Sequence, residues 1–179
     1  GYIDGQDALP PWLERIAFLD SNYSFEARHA APLLAWLRAE ASHRLVVLAY
    51  DDREITLDGK KVVSDSGGTW RATERMLRSL TLSVAFTRDT LGAFVRDGAP
   101  QIEMLRHPNP ENRILHTEMI GEMNGYMHAL LSGRPGYELC AGSIALDSSV
   151  TVDGVPPGAE PPIVREILKP ARSLTASAV

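Results

Sequence analysis

The feature that most constrains this chain is Leu45-Val46-Val47-Leu48-Ala49, an apolar run with no polar interruption. A strand with one face in water alternates polar and apolar residues. An unbroken run is instead buried on both faces, as in parallel sheets covered by helices above and below. Upstream, Leu33, Leu34, Trp36 and Leu37 form an apolar stripe at helical spacing, and Pro32 limits how far back that helix reaches. Downstream, Thr69 is placed to cap a helix carrying Trp70, Met76, Leu77 and Leu80. Strands separated by helices predict an α/β fold, a three-layer, mainly parallel sheet with helices on both faces.

The remaining pattern fills in that frame. Pro10 and Pro11 open a short helix through Trp12, Leu13 and Ile16, and the apolar run 16–19 ends in the turn residues Asp20-Ser21-Asn22. Asp58-Gly59 predicts a hairpin turn within 55–63. Residues 82–86 read as a strand, Leu91, Phe94 and Val95 as a helix ending near Gly98, and 102–105 as another strand. One long helix is expected from Thr117, with Met119, Ile120, Met123, Met127, Leu130 and Leu131 on its apolar face, until Gly133 and Pro135 stop it. Residues 1–150 read as one folded unit. Residues 151–179, with Pro156, Pro157, Pro161, Pro162 and Pro170, read as a tail or extended wrap.

Composition removes several functions. Eighteen basic against 23 acidic residues give a net charge of -5, which argues against nucleic acid or an anionic membrane as partner. No apolar run approaches the roughly 18 residues of a membrane span. A single cysteine, Cys140, excludes an internal disulfide framework and a cysteine-based zinc cluster. The chain has no His-Glu-x-x-His, Gly-x-Gly-x-x-Gly or Walker pattern, so neither a metal nor a nucleotide cofactor is expected.

In open α/β sheets functional groups gather beyond the carboxyl ends of strands. That singles out Asp20, the trio Tyr50-Asp51-Asp52, and His116. A carboxylate and an imidazole at neighbouring strand ends are two parts of a nucleophilic relay: the imidazole takes a proton and the carboxylate holds its tautomer. Asp51, nearest the strand, is the expected acid and His116 the expected base. Asp52 and Asp20 are alternative acids, although Asp20 in Asp-Ser-Asn also reads as a helix cap. Tyr23 and Tyr50 are candidate pocket-lining residues. His128 reads as a packed core histidine, and His29, His43 and His107 as surface or loop residues. Gly67-Gly68-Thr69-Trp70 offers backbone N–H groups to an anion, beside its simpler reading as a loop with a cap. No Gly-x-Ser-x-Gly occurs anywhere, and Ser66-Gly67-Gly68 lacks the preceding glycine and strand of a nucleophile elbow.

The stretch Arg15-Ile16-Ala17-Phe18-Leu19-Asp20-Ser21-Asn22-Tyr23, with Leu48-Ala49-Tyr50-Asp51-Asp52, Asp58-Gly59-Lys60, Gly67-Gly68-Thr69-Trp70, His116-Thr117 and Asn124-Gly125, resembles the C-terminal half of bacterial α/β-hydrolase-like proteins. The resemblance covers roughly residues 10 to 135, a boundary good to a few residues. It implies an incomplete α/β-hydrolase fold, with Asp20 after the strand that follows the elbow helix, Asp51 after the acid-bearing strand and His116 after the last strand. These proteins are mostly uncharacterised and often exported. The resemblance also implies that the nucleophile lies upstream of Gly1, so the missing N-terminal half of the domain is an expected partner.

The leading expectation is therefore part of a serine hydrolase acting on an ester or amide in a small molecule or polymer. The alternative is a non-catalytic α/β module binding a ligand, peptide or glycan at the same strand ends. A Rossmann-like regulatory domain lacks its phosphate loop and ranks last. By itself the chain is expected to be hydrolytically inactive and, with an uncovered strand edge, poorly soluble.

Overall fold

The apolar run at 45–49 becomes the middle of a sheet. In the computed structural model, which describes residues 8–121 and 123–137, β2 (Arg44–Tyr50) lies between β1 (Arg15–Leu19) and β7 (Ile102–His107), parallel to both. Every β2 residue after Arg44 is buried. Leu45 and Val47 face α1 (Ala30–Ala39) and α2 (Thr69–Thr81), packing with Leu33, Leu37, Met76 and Leu80. Val46, Leu48 and Tyr50 face the other way, packing with Leu115, Met119 and Met123 from the segment holding α3 (His116–Ile120). Burial on both faces explains why the sequence shows no alternation here.

The five strands run in the order β1-β2-β7-β6-β5, with β5 (Thr87–Leu91) and β6 (Phe94–Ala99) completing one edge. The chain is α/β, but its sheet is mixed. β1–β2 and β2–β7 are parallel, whereas β6–β7 and β5–β6 are antiparallel. The expectation of a mainly parallel sheet is thus corrected. Parallel neighbours need a long crossover, but turns at 92–93 and 100–101 connect β5, β6 and β7 directly, and such tight turns force antiparallel pairing.

The same hairpin replaces the helix expected around Leu91 and Phe94. Gly92 adopts a positive φ of 56°, Leu91 pairs with Phe94, and the ion pairs Arg88–Asp97 and Asp89–Arg96 span the two strands. Residues 82–86 are not a strand: the amides of Ser83 and Val84 bond to the Leu80 carbonyl and end α2. Pro10-Pro11 forms a turn closed by Leu13 N–H on the Pro10 carbonyl, at 3.1 Å, rather than a helix. The Asp58-Gly59 expectation agrees with the structure. Both residues have positive φ, joining β3 (Thr56–Leu57) to β4 (Lys60–Lys61).

The single helix expected from Thr117 is broken into α3 and α4 (Gly125–Leu131). Asn124 takes a left-handed φ of 55°, and a Cβ on Gly125 would lie 2.1 Å from the Met119 carbonyl oxygen. Only glycine lets the chain turn that closely. The proposed tail at 151–179 and Cys140 lie outside the described residues. Among the described residues no helix is long and apolar enough to cross a membrane.

Candidate active site

Three segments meet at the carboxyl end of the parallel strands. Asp20 immediately follows β1, with a left-handed φ of 48°, and its amide bonds to the Leu48 carbonyl of β2 at 2.8 Å. That backbone turn directs a buried carboxylate across the strand ends. There His116, the first residue of α3, places Nδ1 2.6 Å from Asp20 Oδ2. A carboxylate can only accept, so Nδ1–H is the donor and Nε2 keeps its lone pair. The Asp20 side chain is 6% exposed and that of His116 48%. The carboxylate is therefore shielded while the imidazole reaches solvent.

The other Asp20 oxygen is held as well, by a short hydrogen bond from the Thr69 hydroxyl. Thr69 opens α2, whose preceding residue is Gly68 and provides no side-chain cap. Asp52 serves instead: its Oδ2 accepts the Thr69 amide at 2.7 Å, so a carboxylate from the β2 end closes the helix N-terminus. Gly68 is required for this approach, since a Cβ there would lie 2.4 Å from Asp52 Oδ1, and its φ is 89°. Burial raises the Asp52 carboxyl above the usual range, only partly opposed by the amides it accepts from. The anion that Gly67-Gly68-Thr69-Trp70 is shaped to receive is thus this protein's own aspartate.

The expected partnership of Asp51 with His116 is not the one formed. Asp51 turns to Arg53, accepting Nε at 2.8 Å, Nη2 at 2.6 Å and the backbone amide at 3.2 Å. Burial alone would raise its carboxyl, but the Arg53 bonds outweigh this and hold it below the usual range. The physical reason lies in strand alternation, since Asp51 and Asp52 leave β2 towards opposite sides and only Asp52 reaches the cavity.

That cavity, about 270 Å³, is lined by Asp20, Tyr50, Asp52, Thr69 and His116, with Tyr23, Val62, Val63 and Ile114 as apolar walls. Both tyrosines expected to line a pocket are therefore at this one. Burial, reinforced by the charges of Asp20 and Asp52, pushes the Tyr50 phenol up to about 12. Sequence reasoning missed the hydroxyl of Thr69 and the walls Val62, Val63 and Ile114. The only signal for Thr69 was its place after Gly67-Gly68, and nothing in the sequence joins Val62 and Ile114 across 51 intervening positions.

Comparison of this chain with protein-family models, curated proteins and solved structures finds no match.

The other histidines are packed. His43, expected at the surface, is buried against the Trp36 ring with Nδ1 2.6 Å from the Trp36 carbonyl. His29 is buried beside Phe25, and His107 is half-buried with Nδ1 accepting the Asn109 amide. His128 is a core histidine as expected, with Nε2 2.9 Å from Glu103 Oε2. Among the described residues no three His, Cys, Asp or Glu side chains converge as a metal site.

Proposed function

We propose that this chain is part of a serine hydrolase for an ester or amide, with His116 as general base and Asp20 as its orienting carboxylate. The carrying observation is the 2.6 Å bond from His116 Nδ1–H to a buried Asp20, with the imidazole open to a cavity. In this reading β1, β2 and β7 are the second half of an α/β-hydrolase sheet, and the nucleophile comes from a segment outside the sequence in hand.

The steps follow from the tautomer. A serine hydroxyl attacks the substrate carbonyl as its proton passes to His116 Nε2, and Asp20 stabilises the imidazolium that forms. His116 gives that proton to the departing alkoxide or amine, leaving an acyl-serine. Water then loses a proton to the same Nε2 as it attacks, the acid product leaves, and the proton returns to serine. Thr69 keeps Asp20 in place by holding the oxygen that His116 does not use.

The test is labelling of the complete gene product by a serine-directed fluorophosphonate. Labelling is expected to vanish in His116→Ala, to slow by about 10³- to 10⁴-fold in Asp20→Asn, and to stay near wild type in Asp51→Asn. Undiminished labelling of Asp20→Asn would overturn the assignment. One observation favours a second reading as a non-catalytic binding module. Among the described cavity residues the one aliphatic hydroxyl, Thr69, already gives its proton to Asp20. A complete protein that binds ligand at His116 but never labels supports that reading.

A further inference from the structure

We propose that the cavity beside His116 selects small uncharged esters or amides with a short apolar chain and excludes substrates bearing a carboxylate or phosphate. The proposal rests on the hydrolase reading for its chemistry but not for its binding.

Size comes first. About 270 Å³ lies at the small end of ligand pockets, so it holds a chain of a few carbons. The walls set polarity. Tyr23, Val62 and Ile114 are large side chains left 58%, 39% and 50% exposed around one opening, and Val63 completes the lining. Covering such carbon with an alkyl chain removes it from water, and the short β3–β4 hairpin positions Val62 and Val63 for that contact.

Charge decides the exclusion. Among the described residues no lysine or arginine lines the cavity, whereas Asp20 and Asp52 both do. An α2 N-terminus open to the cavity would attract an anion, but Asp52 Oδ2 already takes the Thr69 amide. Arg53, just past the end of β2, is held by Asp51 at 2.6 Å and lines a different groove with Arg71, Arg75 and Arg78. A ligand carboxylate entering here meets the like charges of Asp20 and Asp52, with no lysine or arginine among the described lining residues beside it.

The experiment follows Val and Ile methyl and His116 ring resonances of the complete gene product by NMR at pH 8. Pentanamide and pentanoate are titrated as matched neutral and anionic probes. Pentanamide is expected to shift Val62, Val63, Ile114 and His116 saturably, with pentanoate at least about tenfold weaker, the order produced by a like charge a few ångströms away near a surface. Val62→Lys, which puts a cation on the exposed rim and leaves the core intact, is expected to close most of that gap. Equal affinity for the two probes in the wild type would overturn the charge exclusion. Pentanamide shifts confined to other residues, or none, would overturn the pocket assignment. Selective pentanamide binding in a protein whose complete form never labels with fluorophosphonate would leave this inference standing and remove only the hydrolase reading.

Discussion

Glu103, near the start of β7, sits at the opposite end of the sheet from His116 and holds α4 against the strands. Its Oε2 accepts from His128 Nε2 at 2.9 Å, Ser132 Oγ at 2.5 Å and Arg44 Nη2 at 3.4 Å. Burial alone would raise this carboxyl, but those bonds and the charges of His128 and Arg44 outweigh it and hold it at about 2 against an ordinary 4.5. The difference, at 1.36 kcal/mol per unit, corresponds to about 3 kcal/mol of folding stability. Because the folded value is depressed, the contribution is fully present above pH 4.5. It is lost as pH falls from 4.5 towards 2, where the unfolded chain takes up the proton first. Glu103→Gln keeps the shape and removes the charge. Urea denaturation at pH 7 is expected to show the variant about 3 kcal/mol less stable, with the gap shrinking steadily at pH 4 and pH 3. A gap that stays constant down to pH 3, or is below about 1 kcal/mol at pH 7, the worth of an ordinary neutral hydrogen bond, would refute the reasoning.

Gly68→Ala should destabilise by about 2 kcal/mol or more, because a positive φ and a clash with Asp52 coincide; thermal melting with an unchanged midpoint would contradict this. Thr69→Val should cost about 1–3 kcal/mol for the buried bonds lost and slow fluorophosphonate labelling of the complete protein, whereas Thr69→Ser restores the labelling rate; equal rates in both variants would remove Thr69 from the relay. Ultraviolet titration should show a late step near pH 12, the ionisation of Tyr50. Its folded value is raised, so that stability is full below pH 10 and lost as pH rises towards 12; Tyr50→Phe should abolish the late step. Gly125→Ala should disrupt the α3–α4 junction, since the added Cβ meets the Met119 carbonyl; helical circular dichroism and a melting point equal to wild type would count against the close approach.

Where the sequence was legible, one local property decided the outcome. The β2 run announced its own two-sided burial, Asp58-Gly59 its turn, and the apolar stripes their helices. It misled at residues 87–99, where a few apolar residues suit either period. There the two-residue turn at Gly92-Ala93 and the Arg88–Asp97 and Asp89–Arg96 cross-strand pairs favour a hairpin over a helix. It also misled between α3 and α4, where continuous apolar spacing concealed a break at which Gly125 lies against the Met119 carbonyl.

By itself, then, the sequence determined an α/β chain with a buried central strand and named the strand ends that meet at the cavity, because those depend on periodicity along the backbone. Which carboxylate meets His116 was decided only by the tertiary structure. Asp20, Asp51 and Asp52 are equivalent as residue types, and all three lie at strand ends. The left-handed turn at Asp20, the Arg53 clamp on Asp51 and the helix terminus that takes up Asp52 send them to three different partners. Those directions depend on what lies across the sheet, from positions as far as 96 residues away, and no local pattern encodes them.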